Sequence, residues 1–235
     1  MTITRILGTV SFGLMAAAAT PGIAVAQADP APAVLGGSSG IRLPGNAVCS
    51  LAAIGHDREG RLIGLTAGHC AEAGDEVSAE KNPGAGVLGT VTASVFRTDA
   101  DYAVIQFDPA KVNPVRSVGG TTIAGVGGPP PPGAVVCANG RSSGFDCGVV
   151  WSTMGAVTLT QVCSQPGDSG GPVTAGDQLV GLNRGRFTKL VGIDIPAPCE
   201  VAANPIHQPE YFQPIGPVLA ALDAAGGPGA GFAPV

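Results

Sequence analysis

Short apolar and β-branched runs, each closed off by glycine, proline or another turn residue, recur along this chain: AVCSLAAIG from residue 47, RLIGLTAG from 61, VLGTVTASVF from 87, DYAVIQF from 101, AVVCA from 134, CGVVW from 147, VTLTQV from 157 and QLVGL from 178. Runs this short read as strands joined by tight turns. Glycine supplies backbone angles that other residues resist, and proline pre-sets one angle of a turn. The 37 Gly and 21 Pro could instead signal disorder, but 45% hydrophobic and 12% charged residues describe a chain able to bury a core. An all-β fold follows. Helical spacing enters only in PIGPVLAALDAAG from 214, where Val218, Leu219 and Leu222 share a face and Gly226-Gly227 stops the run.

Residues 1–26 combine an early Arg, an apolar stretch from Ile6 to Ala19, a Pro-Gly break and Ala24-Val25-Ala26, the layout of a secretory signal peptide. The expected order is then signal peptide 1–26, mature N-terminal segment 27–40, first β unit 41–124, Pro/Gly linker 125–133, second β unit with the helix 134–224, and flexible tail 225–235. The linker GVGGPPPPG is stiff, and its prolines offer a sheet no amide donors. A net charge of −5 with no Lys/Arg cluster argues against nucleic acid or an anionic membrane as partner. Six cysteines in an exported chain favour disulfides over metal ligands, and spacing alone leaves their pairing open.

The densest chemical signal is Gly167-Asp168-Ser169-Gly170-Gly171-Pro172. A serine hydroxyl attacks an acyl group only when a base takes its proton and amide N–H donors meet the developing oxyanion. The base must come from His56, His69 or His207. His69 ends an apolar strand in LTAGHC beside Cys70, whereas His56 and His207 sit in polar or Pro-containing stretches that read as surface. Asp101 opens the apolar DYAVI run, where a charge needs a reason to be, while Asp99 falls outside it. Gly84 to Gly89 fits GxGxxG but leads into β-branched residues rather than a helix, so it is no dinucleotide site. Trp151 reads as core.

TAGHC, DYAVI and GDSGGP, in that order, resemble the His, Asp and Ser motifs of chymotrypsin-like serine proteases, in details those of the bacterial streptogrisin and α-lytic protease branch. Cys137 to Gly148 is similar to that branch's short disulfide loop, Cys163-Ser164-Gln165-Pro166 to its lead-in to the serine, and Tyr211-Phe212-Gln213-Pro214 to its entry into the final helix. The resemblance implies two six-stranded antiparallel β-barrels with a short C-terminal helix, and pairs Cys49 with Cys70, Cys137 with Cys147 and Cys163 with Cys199. It implies a secreted serine endopeptidase with His69, Asp101 and Ser169 as the triad and the amides of Gly167 and Ser169 as the oxyanion hole. The substrate would be a polypeptide, with no metal or organic cofactor, no nucleic acid, no lasting membrane insertion, and a monomeric enzyme. The rival is a catalytically silent barrel that binds a partner.

Two departures from the family pattern bear on the site. Ala138 replaces the arginine expected to pair with Asp168, which leaves Arg141, or an α-amino group freed near Val34, as substitutes. The cleft strand reads Gly181-Leu182-Asn183-Arg184-Gly185-Arg186. A gapless match puts Arg184 where a serine supports the catalytic carboxylate and Arg186 at the primary pocket, favouring acidic residues. A one-residue gap puts Asn183 and Gly185 there and keeps the pocket apolar. Ser164, Gln165, Pro166, Arg184, Gly185 and Arg186 are the pocket candidates.

Overall fold

The computed structural model describes residues 30–190, 193–194, 199 and 207–235, so the expected signal peptide lies outside them. In the N-terminal half the strands are β1 (Gly40–Arg42), β2 (Val48–Ser50), β3 (Ala53–His56), β4 (Leu62–Thr66), β5 (Glu76–Ala79), β6 (Val87–Arg97) and β7 (Ala100–Phe107). They pair in the order β3-β4-β7-β6-β5-β1-β2. The two outer members are consecutive in the chain. Leu51 N donates to Ser39 O at 2.9 Å, next to β1, and Ala52 N donates to Leu65 O at 2.7 Å in β4. One bent segment therefore meets both edges and curls the sheet around Ile41, Leu51, Val77, Leu88 and Ile105.

The C-terminal half contains β8 (Val135–Gly140), β9 (Gly144–Met154), β10 (Val157–Thr160), β11 (Pro172–Ala175), β12 (Gln178–Arg186) and β13 (Glu210–Pro214). Their order is β12-β11-β8-β9-β10-β13, and β13 pairs again with β12, so the six strands close into a barrel. Val136, Val150, Val173, Val180 and Phe212 fill it. Closure removes the free edges that an open sheet would present. Helix α1 (Ile215–Ala225) follows β13, buries Ile215, Val218 and Leu222, and ends at Gly226, whose φ of 68° is the left-handed conformation of a glycine cap. Burial of those three side chains contributes roughly 1.5–3 kcal/mol each.

Between the halves lies a shared apolar cluster that includes Ile63, Leu65, Val104, Leu182, Leu222 and Phe232. The structure differs from the sequence reading in three places. The tail is not loose: Ala233–Pro234 pairs antiparallel with β3, and Ala230 and Phe232 are buried. Trp151 is 42% exposed, because β9 points Val150 inward and the next side chain must face out. His207 is buried, with Nδ1 2.8 Å from Gln208 O. Gly125–Val126 runs parallel to Gln178–Leu179, and Pro129–Pro132 continue outside any strand, as the lack of amide donors requires.

Candidate active site

His69 lies in the single 3₁₀ turn Gly68–Cys70 that follows β4. Gly68 is required there, since a Cβ would stand 2.0 Å from Val95 O of β6. The Cys49–Cys70 disulfide ties the far side of the turn to β2. Asp101 is the second residue of β7, fully buried at its side chain, and the antiparallel register sets it opposite Phe96. Its Oδ1 accepts from His69 N at 3.0 Å and its Oδ2 is 2.8 Å from His69 Nδ1. The pair holds the imidazole from its Nδ1 side. Asp99, by contrast, pairs with Arg97 on the surface at 3.2 Å.

Ser169 sits in the tight turn before β11, between Gly167 with φ of 100° and Gly170 with φ of 79°. Its carbonyl accepts from Ser50 N at 2.8 Å and lies 3.9 Å from Cys70 Sγ, which brings residue 169 alongside the histidine turn. Ser50 makes two further bonds across the seam: its hydroxyl donates to Gly167 O at 2.9 Å and accepts from Arg141 N at 3.0 Å. No sequence signal marked Ser50, which looks like any small strand residue beside a cysteine.

Asp168 is buried, and no cation among the described residues pairs with it. Its carboxylate accepts from the amides of Ser142 (2.8 Å), Ser143 (3.0 Å) and Gln165 (2.7 Å). Charge-assisted bonds of this kind answer a buried carboxylate without a counter-ion. The expected substitute Arg141 turns instead to Glu80, with Nε 2.6 Å from Oε2 and Nη2 on Oε1. The Arg141 guanidinium holds the Glu80 carboxyl below its ordinary range. Arg141 thus serves Asp168 through the turn its backbone begins, not through its charge.

The pocket candidates separate. Ser164 is buried against Asn183, whose Nδ2 donates to Ser164 Oγ at 2.9 Å, and Gln165 and Pro166 belong to the turn around Asp168. In the β12–β13 pairing Asn183 stands opposite Phe212, Gly185 opposite Tyr211 and Arg186 opposite Glu210, so Arg184 is the residue a bulge leaves unpaired. Arg184 crosses to Asp101, with Nε 3.1 Å from Oδ2. Arg186 has no ion pair among the described residues and faces a groove of about 810 Å³ lined also by Phe96, Met154, Phe187 and Tyr211. Phe96 packs on His69 with ring centroids 5.6 Å apart and borders a second depression of about 550 Å³ beyond the histidine.

Glu210, not anticipated from sequence, is fully buried in β13. Neither carboxyl oxygen has a hydrogen-bond partner among the described residues, Thr160 and Asn183 being polar neighbours outside bonding geometry. Burial, and then the charges of Asp168 and Asp146, push its pKa well above the ordinary glutamate range. The only sequence hint was a carboxylate at the head of an otherwise uncharged strand.

The same architecture occurs in Nocardiopsis protease NAPase (TM-score 0.64, 25% identity, 80% of this chain and 96% of that one). It occurs also in the chymotrypsin of Cellulomonas bogoriensis (TM-score 0.60, 28% identity, 80% and 95% covered). In sequence, streptogrisin-C of Streptomyces griseus is 28% identical over 174 residues, 66% of this chain. The chain is a homologue of bacterial chymotrypsin-like serine proteases. This protease homologue spans a third (33%) of the length of streptogrisin-C, and no family model matches it. Like Thermobifida fusca protease A, to which it is 26% identical with a TM-score of 0.62, it covers nearly the whole of its solved relatives' chains, 96% in that case.

Proposed function

We propose that the protein is a secreted serine endopeptidase working through an acyl-enzyme. The observation that carries this is the doubly bonded His69–Asp101 pair, set beside a serine turn whose backbone is anchored to the same half. Ser169 Oγ attacks the peptide carbonyl as its proton passes to His69 Nε2. Asp101 fixes the tautomer and stabilises the imidazolium, and the amides of Gly167 and Ser169 receive the oxyanion. His69 then returns the proton to the leaving amine, and water, deprotonated by the same nitrogen, frees the acid product and Ser169. The groove and the depression flanking His69 suit an extended polypeptide laid across the cleft. Secretion fits the three disulfides and the leader-like N-terminus. Among the described residues no helix is long and apolar enough to cross a membrane.

Hydrolysis of peptide or ester substrates, and labelling by a serine-directed phosphonate, test this. Ser169→Ala should abolish labelling, and Ser169→Ala or His69→Ala should each lower kcat by roughly 10⁴ or more with the fold intact. Retention of most of the activity in either variant would remove the triad. The reading of a silent binding barrel is favoured by one observation, the guanidinium resting on Asp101. A wild-type protein that neither hydrolyses nor labels would establish that reading instead.

For substrate preference, the half-buried Arg186 at the groove, which has no ion pair among the described residues, suits a carboxylate, which a guanidinium binds with two parallel hydrogen bonds. A peptide library varied before the scissile bond should show enrichment of Glu and Asp that Arg186→Gly removes. Dominance of large apolar residues, unchanged in the variant, would exclude an acidic preference.

A further inference from the structure

Arg184 is held more completely than a surface arginine has reason to be. It occupies the bulge of β12, so its side chain leaves the C-terminal barrel and crosses to the other half. Its side chain is 10% exposed and reaches three acceptors there: Asp101 Oδ2 at 3.1 Å, Thr98 O at 3.0 Å and Arg97 O at 2.6 Å. The last two are main-chain carbonyls of the turn between β6 and β7, the turn that delivers Asp101. The oxygen it meets on Asp101 is the one His69 Nδ1 uses. The other anion near that turn, Asp99, is engaged by Arg97, so Asp101 is the carboxylate left to Arg184.

We propose that Arg184 is a positioning residue of the triad, a guanidinium presented by one barrel that locks the carboxylate and its turn in the other. This rests on the endopeptidase reading and deepens it. A planar guanidinium meets two carbonyls and a carboxylate through three separate nitrogens in a fixed fork, whereas a hydroxyl has one donor and an ammonium would have to gather all three acceptors around a single nitrogen. Fixing Asp101 fixes the ring of His69, and small losses of alignment at a reacting centre cost up to about 10²-fold in rate. The bulge is what makes this reach possible, since a regular strand would give the residue a partner on β13 and leave the Asp101 turn untied.

The test uses Arg184→Ala and Arg184→Lys in the whole protein. Arg184→Ala should lower kcat by about 10- to 100-fold with KM within twofold, and added guanidinium chloride, at concentrations below unfolding, should restore part of kcat in this variant only. Arg184→Lys should recover a fraction of the rate and should gain nothing from guanidinium. In a Ser169→Ala background the downfield proton resonance of His69 Nδ1–H should broaden or move when Arg184 is replaced. That signal needs no turnover, so it tests the lock even if the wild type hydrolyses nothing, an outcome that would count against the endopeptidase reading alone. An unchanged resonance overturns the proposal. So does a rate that rises on removing Arg184, which would make the guanidinium a competitor for Asp101 rather than its anchor, or a loss of kcat that guanidinium leaves unrepaired in a folded variant. If Arg184→Ala does not fold, the resonance and rate of Arg184→Lys decide, and wild-type values for both overturn it.

Discussion

Removing the Arg141 side chain is expected to cost little. The three amides on Asp168 come from backbone, and the Glu80 pair that is lost is partly exposed, so Arg141→Ala should lower stability by about 1 kcal/mol and leave most of the activity. A chemical denaturation curve and one rate measurement check this; abolished activity would mean the guanidinium is what holds Asp168 after all. Glu210 behaves oppositely, because among the described residues its buried carboxyl has no hydrogen-bond partner in normal geometry. Its folded pKa lies above the unfolded value of about 4.3. Its contribution to stability is therefore complete below that value and is withdrawn as pH rises toward the folded pKa. Glu210→Gln has no carboxyl to ionise, so its melting temperature should gain on the wild type steadily from about pH 5 upward; a constant difference would show that Glu210 does not titrate with folding. The sequence announced His69, Asp101 and Ser169, because a histidine, a carboxylate and a serine in apolar or glycine-rich surroundings need explaining. Ser50 and the fate of Arg141 were not legible, since both depend on which backbone groups tertiary structure leaves unbonded.

Strands were legible wherever period and punctuation agree, as in DYAVIQF, which became most of β7, and the helix stop at Gly226 is where it was expected. The bulge in β12 was not, because a bulge leaves composition unchanged and shows only as a shift of register against β13. The turn carrying Asp168 has its own elemental constraint. A Cβ on Gly140 would fall 2.1 Å from Asp168 Oδ1, and that carboxylate is pinned by three amides and cannot retreat. Gly140→Ala is expected to cost more than about 2 kcal/mol and most of the activity, whereas alanine at Gly60, where a Cβ would meet no atom within 4 Å, should spare activity. Of the disulfides, Cys163–Cys199 spans 36 residues and Cys137–Cys147 spans 10. Loop-closure entropy then makes the first worth about 4 kcal/mol and the second below about 3. Paired Cys→Ala variants compared by denaturation should keep that order.

At the level of the whole molecule, the two halves meet through an apolar seam and polar ties that include Ser50 on the serine turn, Arg184 on Asp101, Arg141 on Glu80 and Arg58 on Asp223. The all-β plan was legible in outline because turn residues punctuate two sets of strand runs. The return of residues 230–235 to the first half was not, because six small or apolar residues carry no periodic signal long enough to read. Phe232→Ala should therefore destabilise the protein by about 3 kcal/mol, as a core truncation does and a tail truncation does not; an unmoved melting temperature would show that the segment is loose in solution. The pairing of Ala233 with His56 joins residues 177 positions apart, against a hairpin such as β6–β7 whose partners are near neighbours. During synthesis the β3 edge must wait, unpaired, until residues 233–234 have left the ribosome, long after β3 itself. Contacts of such long range are made late and slowly, and an open edge invites pairing with other chains meanwhile. The clasp of residues 233–234 thus makes completion of the N-terminal sheet a late event of folding, although most of its strands are made first.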